Sequence, residues 1–334
     1  MQTTFDDDDG SLNIRELGNG KRLLTATPRR RDVYIMVDQW ETSYSIDLIR
    51  MIFKIDGVNA TIHTIVRDED PHYVQRLLRN DLFAYFDPDD FANKRILDFG
   101  CGCGPSTAIL GRMFPTAEIT GIELMPSAVE VAKEMAKFYG MSNVRFLQSP
   151  SGDQLPPQIG EFDFVIMSAV YEHLLPRERA PVMQQLWNAV RDGGFLFINQ
   201  TPNLLFPVEL HTTMLPMINY LPDGVTLRMA RRFSKRVKPD ESWEQLLRKG
   251  IRGATEDEIL GVLQQEGFSP LVLEPRRNGI RDRIDLYYTN TNPNRLRIIK
   301  KIARVVIKGI STVFGKTIIP DLSIAFQKLS KNSS

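Results

Sequence analysis

Cysteine is almost missing from this chain: two among 334 residues, Cys101 and Cys103, one residue apart. Such a pair makes no disulfide framework, and its scarcity fits a reducing compartment. Two thiols alone are also an incomplete zinc site, so both are expected to line a turn. Long apolar runs are missing too; none approaches the ~20 residues that span a bilayer. Residues 1–9 hold four aspartates and no apolar segment, so no secretory signal is expected. Neither charge is in excess. Lys and Arg number 42 against 41 Asp and Glu, a formal net charge of +1, and no global basicity recruits nucleic acid. The expectation is a soluble, cytoplasmic chain with no nucleic-acid partner. Its 42% hydrophobic and 25% charged residues are those of an ordinary globular protein long enough for a sizeable core. The charge is uneven: residues 1–95 lean acidic, and 225–253 and 276–316 lean basic.

The middle third alternates short apolar runs with helical periodicity. Strands are expected at Arg95–Phe99, Glu118–Leu124, Val144–Gln148, Phe162–Met167 and Gly194–Gln200, with helices at Thr107–Met113, Ser127–Tyr139 and Ala180–Val190. Such a series implies a parallel, doubly wound α/β sheet with right-handed crossovers. After Thr201 the rhythm breaks, then resumes with a helix capped by Thr255, a sixth strand at Ser269–Glu274 and a seventh at Leu322–Gln327. The organisation expected is therefore a helical N-terminal cap over 1–90 and one domain over 91–328. Two insertions interrupt that domain, at 203–253 and 276–319. Within the cap, helical stretches lie near Ser45–Phe53 and Pro71–Tyr85.

The most specific motif is Asp98-Phe99-Gly100-Cys101-Gly102-Cys103-Gly104, closing the first of these strands and opening a helix. Glycines there let the backbone approach a ligand, and a helix N-terminus offers free N–H groups. Glu123 ends the next strand, where a carboxylate accepts both hydroxyls of a ribose. A dinucleotide fingerprint needs glycine three residues after Gly102, and that position is Pro105. The acid at Asp98 is equally foreign to it and suits a cationic ligand end.

These residues resemble the class I S-adenosylmethionine-dependent methyltransferases of the small-molecule and lipid type. The resemblance covers residues 90–202 firmly, and 255–275 and 320–328 more loosely. It implies a seven-stranded, mostly parallel, Rossmann-like sheet and S-adenosyl-L-methionine as cofactor. It assigns the cofactor's amino acid end to Asp98, Gly100, Gly102 and Gly104, and the ribose to Glu123 with Leu124 beside it. The adenine contact stays open between Ser149 and Asp153, and Ser168 stands at the end of the fourth strand. Phe162–Ile166 followed by Glu172-His173-Leu174, and Asp192-Gly193-Gly194, also match the family's pattern.

Catalytic candidates are His173, just past the fourth strand, and His211, in the segment that follows the fifth. Either imidazole suits a general base if the acceptor must lose a proton. Glu209 is the candidate for orienting an acceptor hydroxyl; capping within the insertion is its plainer role. No metal is expected. Quinone O-methyltransferases bind one through Glu-x-x-Glu-His, and here Ala169 replaces the first carboxylate. The implied activity is methyl transfer, at oxygen, to a small-molecule or lipid-like acceptor, with nitrogen and carbon acceptors open. The rivals are a nicotinamide-dependent oxidoreductase and a non-catalytic, cofactor-binding peripheral membrane scaffold. The segment 295–314 reads as a basic amphipathic helix. On sequence alone it either lies on an anionic membrane surface or packs on its own domain.

Overall fold

The computed structural model describes residues 2–30, 33–265, 267–291 and 297–329. The chain divides into two compact units: Met1–Arg79 with Phe91–Asn93 and Gly100–Ser149, and Asn80–Asp90 with Lys94–Phe99 and Pro150–Ser334.

The first unit opens with four antiparallel strands in sequential order, β1 (Gln2–Asp6), β2 (Gly10–Gly18), β3 (Lys21–Pro28) and β4 (Gln39–Thr42). Two helices follow, α1 (Ile46–Glu69) and α2 (Val74–Phe83). The helices fall where helical stretches are expected, but the sheet before them is not foreseen by a helical cap. Its inward residues alternate over very short spans, Leu12 with Ile14 and Leu24 with Ala26, all buried. Each alternation is only two buried apolar residues long, too short to stand out as a strand in the sequence. These side chains share one apolar core with Leu48, Ile52, Ile62 and Ile65 of α1. Helix α1 breaks at Gly57, and the Asp7 carboxylate restarts it by accepting the Val58 N–H at 2.7 Å.

The remaining elements run in series. They are β5 (Arg95–Phe99), α3 (Pro105–Met113), β6 (Glu118–Glu123), α4 (Pro126–Phe138), β7 (Val144–Gln148), β8 (Phe162–Ser168), α5 (Pro176–Ala189) and β9 (Val190–Pro202). Next come α6 (Asp223–Phe233), α7 (Trp243–Arg248), α8 (Glu256–Gln265), β10 (Pro270–Leu273), α9 (Arg283–Asn290), α10 (Arg297–Phe314) and β11 (Asp321–Lys328). Seven strands take the order β10-β11-β9-β8-β5-β6-β7. Pairs β6/β7, β5/β8 and β8/β9 are parallel, and β11 runs antiparallel to both β9 and β10. This is the expected seven-stranded, mostly parallel α/β sheet. Thr255 caps α8 as its sequence implies, its hydroxyl accepting the Glu258 N–H at 3.1 Å.

Helix α10 is docked the unusual way round. Arg304 and Lys308 face inward onto Asp285, with Lys308 also 2.6 Å from Asp282. Ile302, Val305, Val306, Ile310, Val313 and Phe314 are exposed, Val305 at 72% and Val313 at 81%. The packing of its apolar side on its own domain is thereby corrected. Arg295 and Leu296 lie outside the described residues.

One buried carboxylate fastens α1 to α3 and to the end of α4. Asp68 Oδ2 accepts the hydroxyls of Tyr44 at 2.6 Å and Tyr139 at 2.5 Å, and Oδ1 accepts Arg112 at 2.6 Å. The Arg112 guanidinium also lies 4.8 Å from the centre of the Tyr139 ring. Asp68→Ala strips an acceptor from two phenols and a cation at once. The expected loss is about 3 kcal/mol in a urea unfolding titration. A loss under about 1 kcal/mol would show that apolar packing alone holds these helices.

Candidate active site

The glycine motif forms a tight turn from β5 into α3. Gly104 precedes the helix with φ +99°, a left-handed conformation that side chains disfavour. A Cβ built there would stand 2.8 Å from the Ala132 Cβ, so α4 leaves no room for one. Pro105 opens α3, where its missing N–H costs nothing. Gly100 and Cys101 both donate to the Ile122 carbonyl, at 2.8 and 3.0 Å. Gly102 donates to Glu123 Oε2 at 3.0 Å. The other Glu123 oxygen accepts the N–H groups of Leu124 at 2.7 Å and Met125 at 3.0 Å. The Ser149 N–H reaches the Glu123 carbonyl at 2.8 Å. Gly100, Gly102, Glu123, Leu124 and Ser149 are thus one local constellation, and Cys101 and Cys103 are buried within the turn.

Asp98, two residues before the turn, is buried at the end of β5 in the second unit. Asp153, the other adenine candidate, is exposed and accepts the Ser151 hydroxyl at 2.6 Å. Ser168 closes β8 in register with Asn199 of β9. Its hydroxyl is buried without a hydrogen-bond partner, and so are both side-chain polar atoms of Asn199 and the hydroxyl of Thr201. Buried polar groups without partners are rare because desolvation is expensive. Their gathering at the carboxyl ends of two parallel strands is where open α/β sheets bind ligands. Ala169, directly after β8, holds φ +54°, a strained backbone of the kind that collects at functional sites. Asn199 and Thr201 were not legible as site residues. Their signal is the lack of partners, which only coordinates reveal.

His173 and His211 are brought together: their ring centres are 5.5 Å apart. His173 Nδ1 lies 2.8 Å from the Arg248 carbonyl, which only accepts, so Nδ1 carries the proton and Nε2 the lone pair. Arg248 in turn makes a two-pronged ion pair with Glu178, at 2.6 and 2.5 Å. Burial lowers the pKa of both histidines, and for His211 the neighbouring His173 adds to the effect. Each is therefore neutral near pH 7. Glu172 is wholly buried beside them, neither carboxylate oxygen makes a well-formed hydrogen bond, and burial pushes its pKa up to about 8 against the lowering effect of its own backbone N–H and the Thr201 hydroxyl. Gly250 makes room for this group: a Cβ there would lie 2.8 Å from His211 Cδ2 and 2.9 Å from Glu172 Cγ.

The expectation for Glu209 is corrected. One of its oxygens accepts the N–H groups of His211 at 2.8 Å and Thr212 at 2.7 Å. The other accepts the N–H and hydroxyl of Thr213, at 2.5 and 2.6 Å. Its carboxylate is buried and fully occupied by the turn that carries His211, so it positions that histidine and is not offered to an acceptor. Another histidine, His63 of α1, lies 3.1 Å from the Tyr73 hydroxyl, and burial lowers its pKa to about 4. A cavity of about 390 Å³ lies between α10 and the start of α8 and holds none of the site residues expected from the sequence.

Residues 96–194 match the family model of the methyltransferase domain. The malonyl-[acyl-carrier protein] O-methyltransferase of a Paenibacillus species is 31% identical over 122 residues, 35% of this chain and 42% of that one. The ubiquinone biosynthesis O-methyltransferase of Acinetobacter baylyi is 26% identical over 165 residues, 48% of this chain and 64% of that one. The chain spans from about a quarter to under half of the length of the first curated relatives it matches. Among solved structures it is similar to the plantazolicin methyltransferase BamL in complex with a triazolic desmethylPZN analog and SAH. There the identity is 16% and the TM-score 0.46, over 85% of this chain and 94% of that one. With the match over 96–194, the strand order and the glycine turn joined to Glu123, the chain carries a domain of the class I, S-adenosylmethionine-dependent methyltransferase family.

Proposed function

We propose that the chain transfers a methyl group to an oxygen of a small-molecule or lipid-like acceptor. The observation that carries the reading is the Gly102 N–H on the Glu123 carboxylate, which joins the glycine turn to the acid at the end of the next strand. When bound, S-adenosyl-L-methionine supplies the sulfonium methyl group. Gly100, Gly102 and Gly104, with Asp98 just before them, hold its amino acid end, and Glu123 with Leu124 takes the ribose. Ser149 serves the adenine side. Ser168 adds a hydroxyl still in search of a partner, which fits a polar ligand at that strand end. Positioning of the two reactants and exclusion of water do most of the work in such a transfer. A neutral His173, its lone pair fixed on Nε2, or a neutral His211 removes the acceptor's hydroxyl proton.

The O-methyltransferases among the relatives support oxygen as the acceptor atom. The nicotinamide reading finds no support, since Pro105 opens α3 where that fingerprint needs glycine. A Cβ at Gly102 meets nothing within 4 Å, but the residue holds φ +55°, so Gly102→Val strains the turn as well as placing a side chain beside Glu123. Calorimetry is expected to show cofactor affinity reduced at least ~100-fold, and Gly102→Ala, which carries the same backbone strain with less bulk, is expected to lower the unfolding midpoint similarly but affinity less. Wild-type affinity in Gly102→Val would remove the turn from the cofactor site.

A specific observation also favours contact with an anionic membrane surface as the route of acceptor delivery. The outward side of α10 is apolar, with Lys301 exposed beside it. Among the described residues no helix is long and apolar enough to cross a membrane. Flotation with anionic vesicles at low salt is expected to carry the protein upward. The double change Val305→Glu and Val313→Glu is expected to leave it at the bottom. A wild-type protein that fails to float at low salt would refute membrane contact through α10.

A further inference from the structure

We propose that Glu172, His173 and His211 bind one divalent transition-metal ion of the zinc type. One ligand atom from each lies within 4.8 Å of both others, and His173 Nε2 stands 3.8 Å from Glu172 Oε1. Two imidazoles and one carboxylate are the donor set that zinc and its first-row neighbours prefer, whereas calcium and magnesium prefer oxygen alone. Three protein ligands also leave a coordination position for an exchangeable oxygen.

Three features beyond proximity point to an ion. Both Glu172 oxygens are buried without a well-formed hydrogen bond, with the Thr201 hydroxyl as the neutral group that faces them, so the carboxylate lacks a cation to meet its charge. His173 donates its Nδ1–H to the Arg248 carbonyl, the outer contact that fixes a metal-binding imidazole and turns Nε2 toward the site. The chain also builds the turn that presents His211 around the buried Glu209, and packs Gly250 where any side chain would strike both His211 and Glu172. Ligands about 2.1 Å from one ion stand roughly 3.4 Å apart in a tetrahedron, so atoms as far as 4.8 Å apart must close by up to about 1.4 Å.

Among the charged groups around the site, Arg179 opposes the ion, but it is paired with Glu258 and with the Leu174 and Arg252 carbonyls. Arg236 near His211 also opposes it, and the Glu209 and Asp321 carboxyls favour it. An imidazole that holds the ion is not available as a base. The ion and the base role of that histidine are therefore alternatives, and loss of turnover in His211→Ala does not separate them.

Metal binding does separate them, and it stands apart from the methyl-transfer reading. The full-length protein, stripped with a chelator, is titrated with Zn²⁺ by calorimetry at pH 7.5 and with Co²⁺ by visible absorption. The expected result is one ion per chain with a dissociation constant in the micromolar range or below. Glu172→Gln, which copies the shape of the protonated carboxyl, and His211→Ala, at an exposed position, are each expected to weaken binding at least ~100-fold. The Cys101→Ser, Cys103→Ser double variant is expected to bind as wild type. Circular dichroism confirms that each variant is folded. No saturable binding by wild type up to about 100 µM, or unchanged affinity in Glu172→Gln and His211→Ala, would overturn the proposal. So would loss of binding in the double cysteine variant.

Discussion

The steric constraint at Gly104 sets the conditions for the cofactor half of the molecule. A left-handed residue with Ala132 against its α-carbon turns the chain from β5 into α3 within a few residues. The N–H groups that this turn exposes need acceptors, and the sequence supplies them locally: the Ile122 carbonyl for Gly100 and Cys101, the Glu123 carboxylate for Gly102. Glu123 is thereby held at the turn before any ligand arrives. Pre-organisation of this kind lowers the ordering cost of binding. A side chain at Gly104 would displace α4, whose Val131 and Met135 belong to the same core as Leu48 and Ile52. The binding turn and the stability of its unit are one problem in packing.

The second unit solves a different problem. Its sheet is tightly filled by aromatic rings, Phe86 with Phe195 at 4.5 Å and Phe164 stacked on Phe195 at 5.4 Å. Such a core tolerates few buried polar atoms, yet Ser168, Asn199, Thr201 and Glu172 keep theirs without partners. Each costs stability unless something polar meets it. Stability is therefore surrendered at the strand ends and recovered in the aromatic layer, which is how a site is kept receptive on a rigid frame.

The strands that carry the glycine turn and Glu123 were legible because their physics is local. Arg95–Phe99 has the bounds that its apolar run sets, and the strand expected over Glu118–Leu124 ends one residue earlier, on Glu123 itself. The N-terminal sheet was not legible because its buried apolar residues alternate only in pairs, Leu12 with Ile14 and Leu24 with Ala26. The meeting of His173 with His211 depends on where a long insertion folds back, and no spacing in the sequence encodes that. Glu209 shows the converse. Its carboxylate serves N–H groups two to four residues ahead, a local pattern that composition alone makes look like a binding group.

Helix α10 marks the limit of amphipathic reasoning. A wheel separates apolar from basic positions, but it does not say which arc meets the protein. The decision here lies in α9, where Asp285 is buried and its N–H is capped by Asp282. A buried carboxylate needs cations, and Arg304 and Lys308 are spaced one turn apart to supply them. Satisfying Asp285 turns the basic arc inward and leaves Val305 and Val313 outside. Helix orientation is thus fixed by one acid on a neighbouring helix, and the exposed apolar side is its consequence.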